Sequence, residues 1–365
     1  MKKILIFTGA GFGVPIGLPT TTEFKPTIDK WCKGDFKNAL QGYLGAKFYD
    51  IESILSTLEF FVHNKSFLKH LLDRVISNQQ FFHEFTTVRS QNNMQKQNAL
   101  SLIFELKKSL FDILGKYNKV QASVLYRNMI TQIKEAYGST SALSIFTTNY
   151  DLTFEHSQDE LESVFNDNGI KDIDYGFSIK NQISYFDYKK QYSWSNSVIE
   201  YKKLHGSLDW VESNGKIIKA GGIIEPSNPD KMLLLYPGYK GTPNDEPYKS
   251  IHDDLLQRLL TADVVYVIGF AFRDDYINNQ FDTALKINKD LKVFCYNPCA
   301  IEELPSESKL GFFANKYKDK FMHIKNGIGI EDKTEPLKGV KKHGQNLIYT
   351  KAMNKMVDFV EKNYV

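Results

Sequence analysis

Cysteine is scarce in this chain. Only Cys32, Cys295 and Cys299 occur in 365 residues. Three cysteines suit a reducing compartment better than a disulfide framework. There is no C-x-x-C pair, which argues against a structural zinc ribbon, and Cys295 lies in an apolar run as a core residue would. Long apolar runs are missing too. Nothing approaches the ~18 residues of a membrane span, and Lys2 and Lys3 precede too few apolar residues for a signal peptide. The expectation is a soluble, cytoplasmic protein without a membrane partner. Charge of one sign is also lacking: 46 Lys and Arg against 43 Asp and Glu leave a net +3. Direct nucleic-acid binding, which needs a clustered basic face, is not expected. The one small cluster, Lys338, Lys341 and Lys342, reads as a solvated loop.

Proline is absent from Ile28 to Tyr137, and glycine is sparse there. Apolar residues in that stretch recur at helical spacing, as in Ile51, Ile54, Leu55 and Leu58, or Leu102, Leu106 and Leu110. It reads as roughly four to six helices, with a polar interruption at Arg89–Gln97. A parallel α/β unit returns to its sheet after one helix, so this much helix implies an insertion.

What remains is organised around short apolar runs that end in polar or glycine residues. Ile4–Phe7 ends in Thr8-Gly9-Ala10-Gly11, and Leu143–Thr147 ends in Thr148-Asn149-Tyr150-Asp151. Val198–Leu204 ends in His205-Gly206, Ala262–Ile268 in Gly269–Asp274, and Leu291–Tyr296 in Asn297. Runs of this length suit buried parallel strands. In an open α/β sheet the ligand sits beyond the carboxyl ends of the strands. The five endings therefore predict one crevice, suited to a dinucleotide.

The intervening segments are less sharply patterned. Ser157–Asn196 reads as hairpins or long loops, and Gly221–Pro247 as loops around an apolar piece at Met232–Tyr236. Helices are expected at Ile251–Leu260, at Ile277–Ile287 and in the tail at Leu347–Tyr364. Thr20 reads as a helix cap, with Glu23 in the first turn.

Each ending has a chemical reading. The glycine turn can expose backbone N–H groups to a phosphate. It is not the dehydrogenase fingerprint, because Val14 and Pro15 follow and no acidic residue stands after a second strand. His205 can exchange a proton near neutral pH. Asn149 can hold a water or a ribose hydroxyl. Asp151 either accepts from a ligand or caps the following segment, and Asp274 has the same two readings. The other histidines read as surface or helix-packing residues, and no pair has metal-ligand spacing.

In this order, Gly9-Ala-Gly11, Gly17-Leu-Pro19, Thr148-Asn149-x-Asp151, Leu204-His205-Gly206-Ser207, Gly269-Phe-Ala-Phe-Arg-Asp274 and Asn297 resemble the sirtuin (Sir2) family. The nearest branch is its bacterial SIR2-like one, found in antiphage defence. The resemblance implies a Rossmann-like open parallel sheet flanked by helices, formed by residues 1–27 and 138–330. The helical insertion would span 28–137, as a cap or oligomer surface, and 331–365 would form a C-terminal loop and helix.

The resemblance also implies NAD+ as substrate and no metal. Gly9, Ala10, Gly11, Thr148, Gly269, Phe270, Asp274 and Asn297 would bind it, and Asn149, His205 and Asp151 would be catalytic. The family's four zinc cysteines are missing, Ala271 stands where Ser or Thr is usual, and Phe12-Gly13 replaces a small polar residue. Without the zinc module, water is favoured over a peptide as acceptor. The implied activity is cleavage of NAD+ to nicotinamide and ADP-ribose by a regulated, NAD-depleting effector. The expected partners are other copies of the chain and a neighbouring ATPase or sensor protein. NAD-dependent deacylation and a non-catalytic NAD or ADP-ribose sensor are the alternatives.

Overall fold

Ile4, Leu5, Ile6 and Phe7 are all fully buried, as a strand covered on both faces must be. The structure, a computed structural model, describes residues 1–63, 92–187, 193–220, 232–236, 245–297 and 308–325. Strand β1 (Lys3–Thr8) leads through two 3₁₀ turns (Ala10–Ile16 and Thr21–Phe24) into α1 (Lys25–Trp31). The helices α2 (Gly34–Leu44), α3 (Ile51–His63), α4 (Asn92–Leu114) and α5 (Lys119–Tyr137) follow. Then come β2 (Ala142–Thr147), α6 (Gln158–Asp167), β3 (Asp172–Asp174), β4 (Phe177–Lys180) and β5 (Ile183–Phe186). Next are β6 (Val198–Lys203), β7 (Gly206–Ser213), β8 (Lys216–Lys219) and β9 (Met232–Leu234). The described chain closes with α7 (Tyr248–Thr261), β10 (Val264–Ile268), α8 (Asp275–Ile287), β11 (Lys292–Asn297), α9 (Lys309–Lys316) and β12 (Phe321–Lys325).

Seven strands form one parallel sheet in the order β12-β11-β10-β1-β2-β6-β3. The expected Rossmann-like parallel sheet with flanking helices is what the chain forms. Successive side chains of β1 point to opposite faces. Ile4 and Ile6 join a cluster with Leu55, Leu106 and Met129 from the helical insertion, so those helices share the core on that face. Leu5 and Phe7 join Leu255, Phe281 and Phe313 from α7, α8 and α9 on the other. None of the described helices is long and apolar enough to cross a membrane.

The structure departs from the sequence reading in several places. Asn92–Gln97, expected to interrupt the helices, is the first part of α4; Met, Gln and Lys sustain a helix without an apolar stripe. Ser157–Asn196 holds α6 and β3 as well as a β4–β5 hairpin. The hairpin belongs to a second sheet, in the order β4-β5-β8-β7-β9, whereas β3 joins the parallel one. The polypeptide passes from the parallel sheet into this one at residues 204–205, between β6 and β7. The helix expected from Ile251 starts earlier, at Tyr248. Glu23 does close the start of the second 3₁₀ turn, accepting from Thr20 N at 2.7 Å. The lysine cluster, the tail helix and the segment 331–365 lie outside the described residues, as does Cys299.

Candidate active site

Strand β1 has β2 on one side and β10 on the other, and the chain leaves β1 and β10 toward opposite edges of the sheet. That reversal opens a crevice at the strand ends. Two glycine loops meet across it. Gly9 N donates to Ile268 O at 3.0 Å, and Gly11 N donates to Gly269 O at 2.9 Å. Gly269 has φ +67°, and a Cβ there would lie 2.2 Å from Phe12 N. A Cβ on Gly9 would lie 2.7 Å from Gly269 O. The glycines are therefore needed so that the two backbones can touch.

This corrects the reading of the turn as a row of free donors. The N–H groups of Gly9, Gly11 and Phe12 are all committed to protein carbonyls, Phe12 N to Gly9 O at 2.8 Å. Phe12 itself is buried, 5.4 Å from the ring of Tyr126 on α5. That contact gives the departure from a small polar residue a physical reason: the side chain anchors the loop to a helix.

Above the strand ends lies a cavity of about 350 Å³. Ala10, Gly11, Thr148, Asn149, Asp151, His205, Gly269, Phe270, Asp274 and Asn297 all line it. Gly9, behind Gly11, is the one expected site residue that does not. Five separated sequence endings thus converge on one space, of a size typical for small-molecule sites.

His205 is buried, at 2% exposure. Its Nε2 lies 3.0 Å from Asp274 Oδ2, and its Nδ1 has no hydrogen-bond partner. With Asp274 ionised, Nε2 carries the hydrogen and Nδ1 keeps its lone pair, the form able to accept a proton. Burial opposes ionisation of Asp274, but the hydrogen bonds it accepts, that of His205 foremost, outweigh it. They include that of Ile277 N–H and hold the carboxyl below its ordinary value. Asp274 Oδ1 meanwhile accepts from Tyr276 N at 2.9 Å and Ile277 N at 3.1 Å, so both readings of this residue apply. Behind His205 stands His252, buried with its ring centroid 6.4 Å away. Burial and the neighbouring imidazole push the His252 pKa down.

Asn149 donates from Nδ2 to Gly9 O at 3.1 Å, which turns its amide oxygen to other partners. Asp151 Oδ1 accepts from Thr153 N at 3.1 Å and from Thr153 Oγ1 at 2.5 Å. The carboxylate thus closes the turn at Thr153 while bordering the cavity.

Residues 143–316 match the family model described as SIR2-like domain. The matched span contains Thr148, Asn149, Asp151, His205, Gly269, Phe270, Asp274 and Asn297, whereas Gly9, Ala10 and Gly11 precede it. Among solved structures, the chain is similar to a mutant Sir2 homologue in complex with 2′-O-acetyl-ADP-ribose. The identity is 12%, with 98% of this chain and 92% of that one covered and a TM-score of 0.41. It is also similar to a Sir2 homologue–NAD complex, at 12% identity, 98% and 89% coverage and a TM-score of 0.39. No curated protein matches. Among the described residues, no group of three or more His, Cys, Asp or Glu is placed to hold a metal ion.

Several residues around the cavity escape sequence reasoning. Glu52 of α3, with Ile51 beside it, and Leu110 and Leu114 of α4 reach the cavity from the helical insertion. Their helical periodicity looks like packing, and nothing in it marks Glu52. Arg273 borders the cavity with an exposed guanidinium. Tyr150 sits between two residues expected in the site, and its hydroxyl lies 2.8 Å from Glu52 Oε1. Lys203 is buried at the end of β6. Its ammonium bonds the carbonyl of Asp151, Ser207 Oγ at 2.9 Å and Glu155 Oε1 at 2.9 Å.

Proposed function

We propose that the chain is an NAD+ glycohydrolase that cleaves the nicotinamide–ribose bond. The observation that carries this reading is His205. It is buried beside the cavity, fixed at Nε2 by Asp274, with Nδ1 unpartnered, and Asn149 lines the same space. The SIR2-like match over 143–316 supports a nicotinamide dinucleotide as the occupant.

The bond between ribose C1′ and the nicotinamide nitrogen breaks with its electron pair going to the ring, which leaves neutral. The leaving group needs no proton because it is already cationic. The ribose passes through an oxocarbenium-like state, and the site's task is to position and stabilise it while excluding bulk water. The Asn149 amide oxygen holds a water against C1′. The water oxygen bonds C1′ and releases a proton to solvent. His205 Nδ1 accepts a hydrogen bond from a ribose hydroxyl, or its proton. The products are nicotinamide and ADP-ribose. A regulated NAD-depleting role in bacterial antiphage defence is the cellular form of this proposal, and its support is the resemblance of the motifs.

The test is to incubate the purified chain with NAD+ and follow nicotinamide by chromatography, with and without an acyl-lysine peptide. Release that does not need peptide is expected. Release only with peptide would make the chain a deacylase. Tight binding of NAD+ without turnover would make it a sensor. Full hydrolysis by both His205→Ala and Asn149→Ala would overturn the site assignment.

A further inference from the structure

Asp50 Oδ1 caps the start of α3, accepting from Glu52 N at 3.0 Å and Ser53 N at 3.1 Å. This fixes Glu52 in the first turn of a helix that belongs to the insertion. Its side chain lines the cavity that holds His205 and Asn149. The Tyr150 hydroxyl lies 2.8 Å from Glu52 Oε1 and 2.9 Å from Leu235 O. That hydroxyl has one hydrogen and two acceptors in reach. When Glu52 is ionised the hydrogen belongs on the carboxylate, because a bond to a charged acceptor is the stronger. When Glu52 is protonated, Tyr150 can donate to Leu235 O and accept from the carboxyl. The pair therefore has two consistent hydrogen-bonding states. A carboxyl so placed, beside a pocket in which positive charge develops on a sugar, has an electrostatic use.

We propose that Glu52, supplied by the helical insertion, is a catalytic carboxylate that stabilises the cationic ribose as nicotinamide departs. It rests on the glycohydrolase reading of the cavity. Glu52 forms no bond to carbon. Its anion faces the oxocarbenium-like ribose and accepts a hydrogen bond from a ribose hydroxyl, complementing His205. The insertion then belongs to the active site, and the site is complete only with α3 docked.

The titratable groups facing Glu52 are Asp50 on its own element, Tyr150 after β2, His205 between β6 and β7, Tyr236 after β9 and Asp274 before α8. Burial, with the repulsion of Asp50 and Asp274, pushes the Glu52 carboxyl up to about 7, and the Tyr150 hydrogen bond favours the anion. Because the ionised form is the active one, nicotinamide release rises as pH rises through about 7.

The test compares pH–rate profiles of the full chain, Glu52→Gln and Tyr150→Phe, with NAD+ binding and cooperative melting as controls. Gln keeps the size and an acceptor for Tyr150. Glu52→Gln is expected to lose about 100-fold in kcat above neutral pH, and its residual rate to lose the step near neutrality. Tyr150→Phe is expected to move that step to higher pH, because the Glu52 anion loses the hydrogen bond that favours it. A wild-type rate and profile in Glu52→Gln, or an unmoved step in Tyr150→Phe, would overturn the role of Glu52 and leave the glycohydrolase reading standing. Absence of nicotinamide release from the wild-type chain at every pH would overturn both.

Discussion

Asp274 Oδ2 lies 3.0 Å from His205 Nε2, across 69 residues of sequence, while Asp274 Oδ1 caps α8. One carboxylate thus fastens a helix start and selects the imidazole tautomer. Asp274→Asn separates the two jobs. The amide oxygen can still cap α8, so the stability loss is expected to stay within about 1 kcal/mol. The amide nitrogen then faces His205 Nε2 and demands a lone pair there, which moves the ring hydrogen to Nδ1 and removes the acceptor. Nicotinamide release is expected to fall at least about 100-fold. Denaturant titration and steady-state rates check the two halves, and an unchanged rate would show that the tautomer is irrelevant.

Glu52 carries the opposite charge preference. Its folded pKa, about 7, lies above the ordinary 4.5. Between those values the unfolded chain has released a proton that the folded chain retains, so stability falls as pH rises through that window. The shift corresponds to about 3 kcal/mol. Glu52→Gln removes it. The variant is expected to gain on the wild type by up to about 3 kcal/mol on going from acid to mildly alkaline pH. Urea denaturation at the two ends of the window measures the gap, and a gap independent of pH would refute the assignment.

The apolar runs of β1, β2, β10 and β11 were readable because a strand buried on both faces has few ways to be written. The polar endings followed, since a parallel sheet gathers them on one side. Thr148, Asn149, His205, Asp274 and Asn297 reach one cavity for that reason. Other features depended on partners that a single sequence does not display. The N–H groups of Gly9 and Gly11 are occupied by β10 and its following loop, a contact made across about 260 residues. Glu52 lies in a helix whose spacing reports only that one face is apolar. The second sheet was missed because β4, β5, β8 and β9 are each only three or four residues long. Strands that short show little alternation.

Gly206, next to His205, has φ +90°, and a Cβ there would lie 2.1 Å from Leu233 O. His205 O accepts from Leu235 N at 2.7 Å, so the same contact seats the histidine. Gly206→Ala is expected to cost several kcal/mol, since it adds strain at a positive φ to a backbone clash. Thermal melting by circular dichroism measures the cost. A melting temperature within a degree or two of wild type would mean that the β7–β9 contact yields easily.

Lys203 offers a test of what holds the Asn149 loop. Its ammonium, 2% exposed on the side chain, pairs with Glu155 Oε1 at 2.9 Å and bonds Ser207 Oγ, the Asp151 carbonyl and, at 3.4 Å, the Tyr150 carbonyl. The charge is satisfied from several directions, which is what a buried ammonium requires. Lys203→Met leaves Glu155 as an uncompensated charge and the Asp151 carbonyl without the ammonium, whereas the Tyr150 carbonyl still accepts from Leu208 N at 3.1 Å. A loss of about 3–5 kcal/mol is expected. Glu155→Gln in that background removes the stranded charge and should recover part of the loss, with a coupling of about 1–3 kcal/mol in the double-mutant cycle. The Asp151 carbonyl still lacks the ammonium in the double variant. Its kcat should therefore stay low even where stability returns, because Asn149 sits on the same turn. Recovery of kcat together with stability would show that Lys203 supports the fold without positioning the loop.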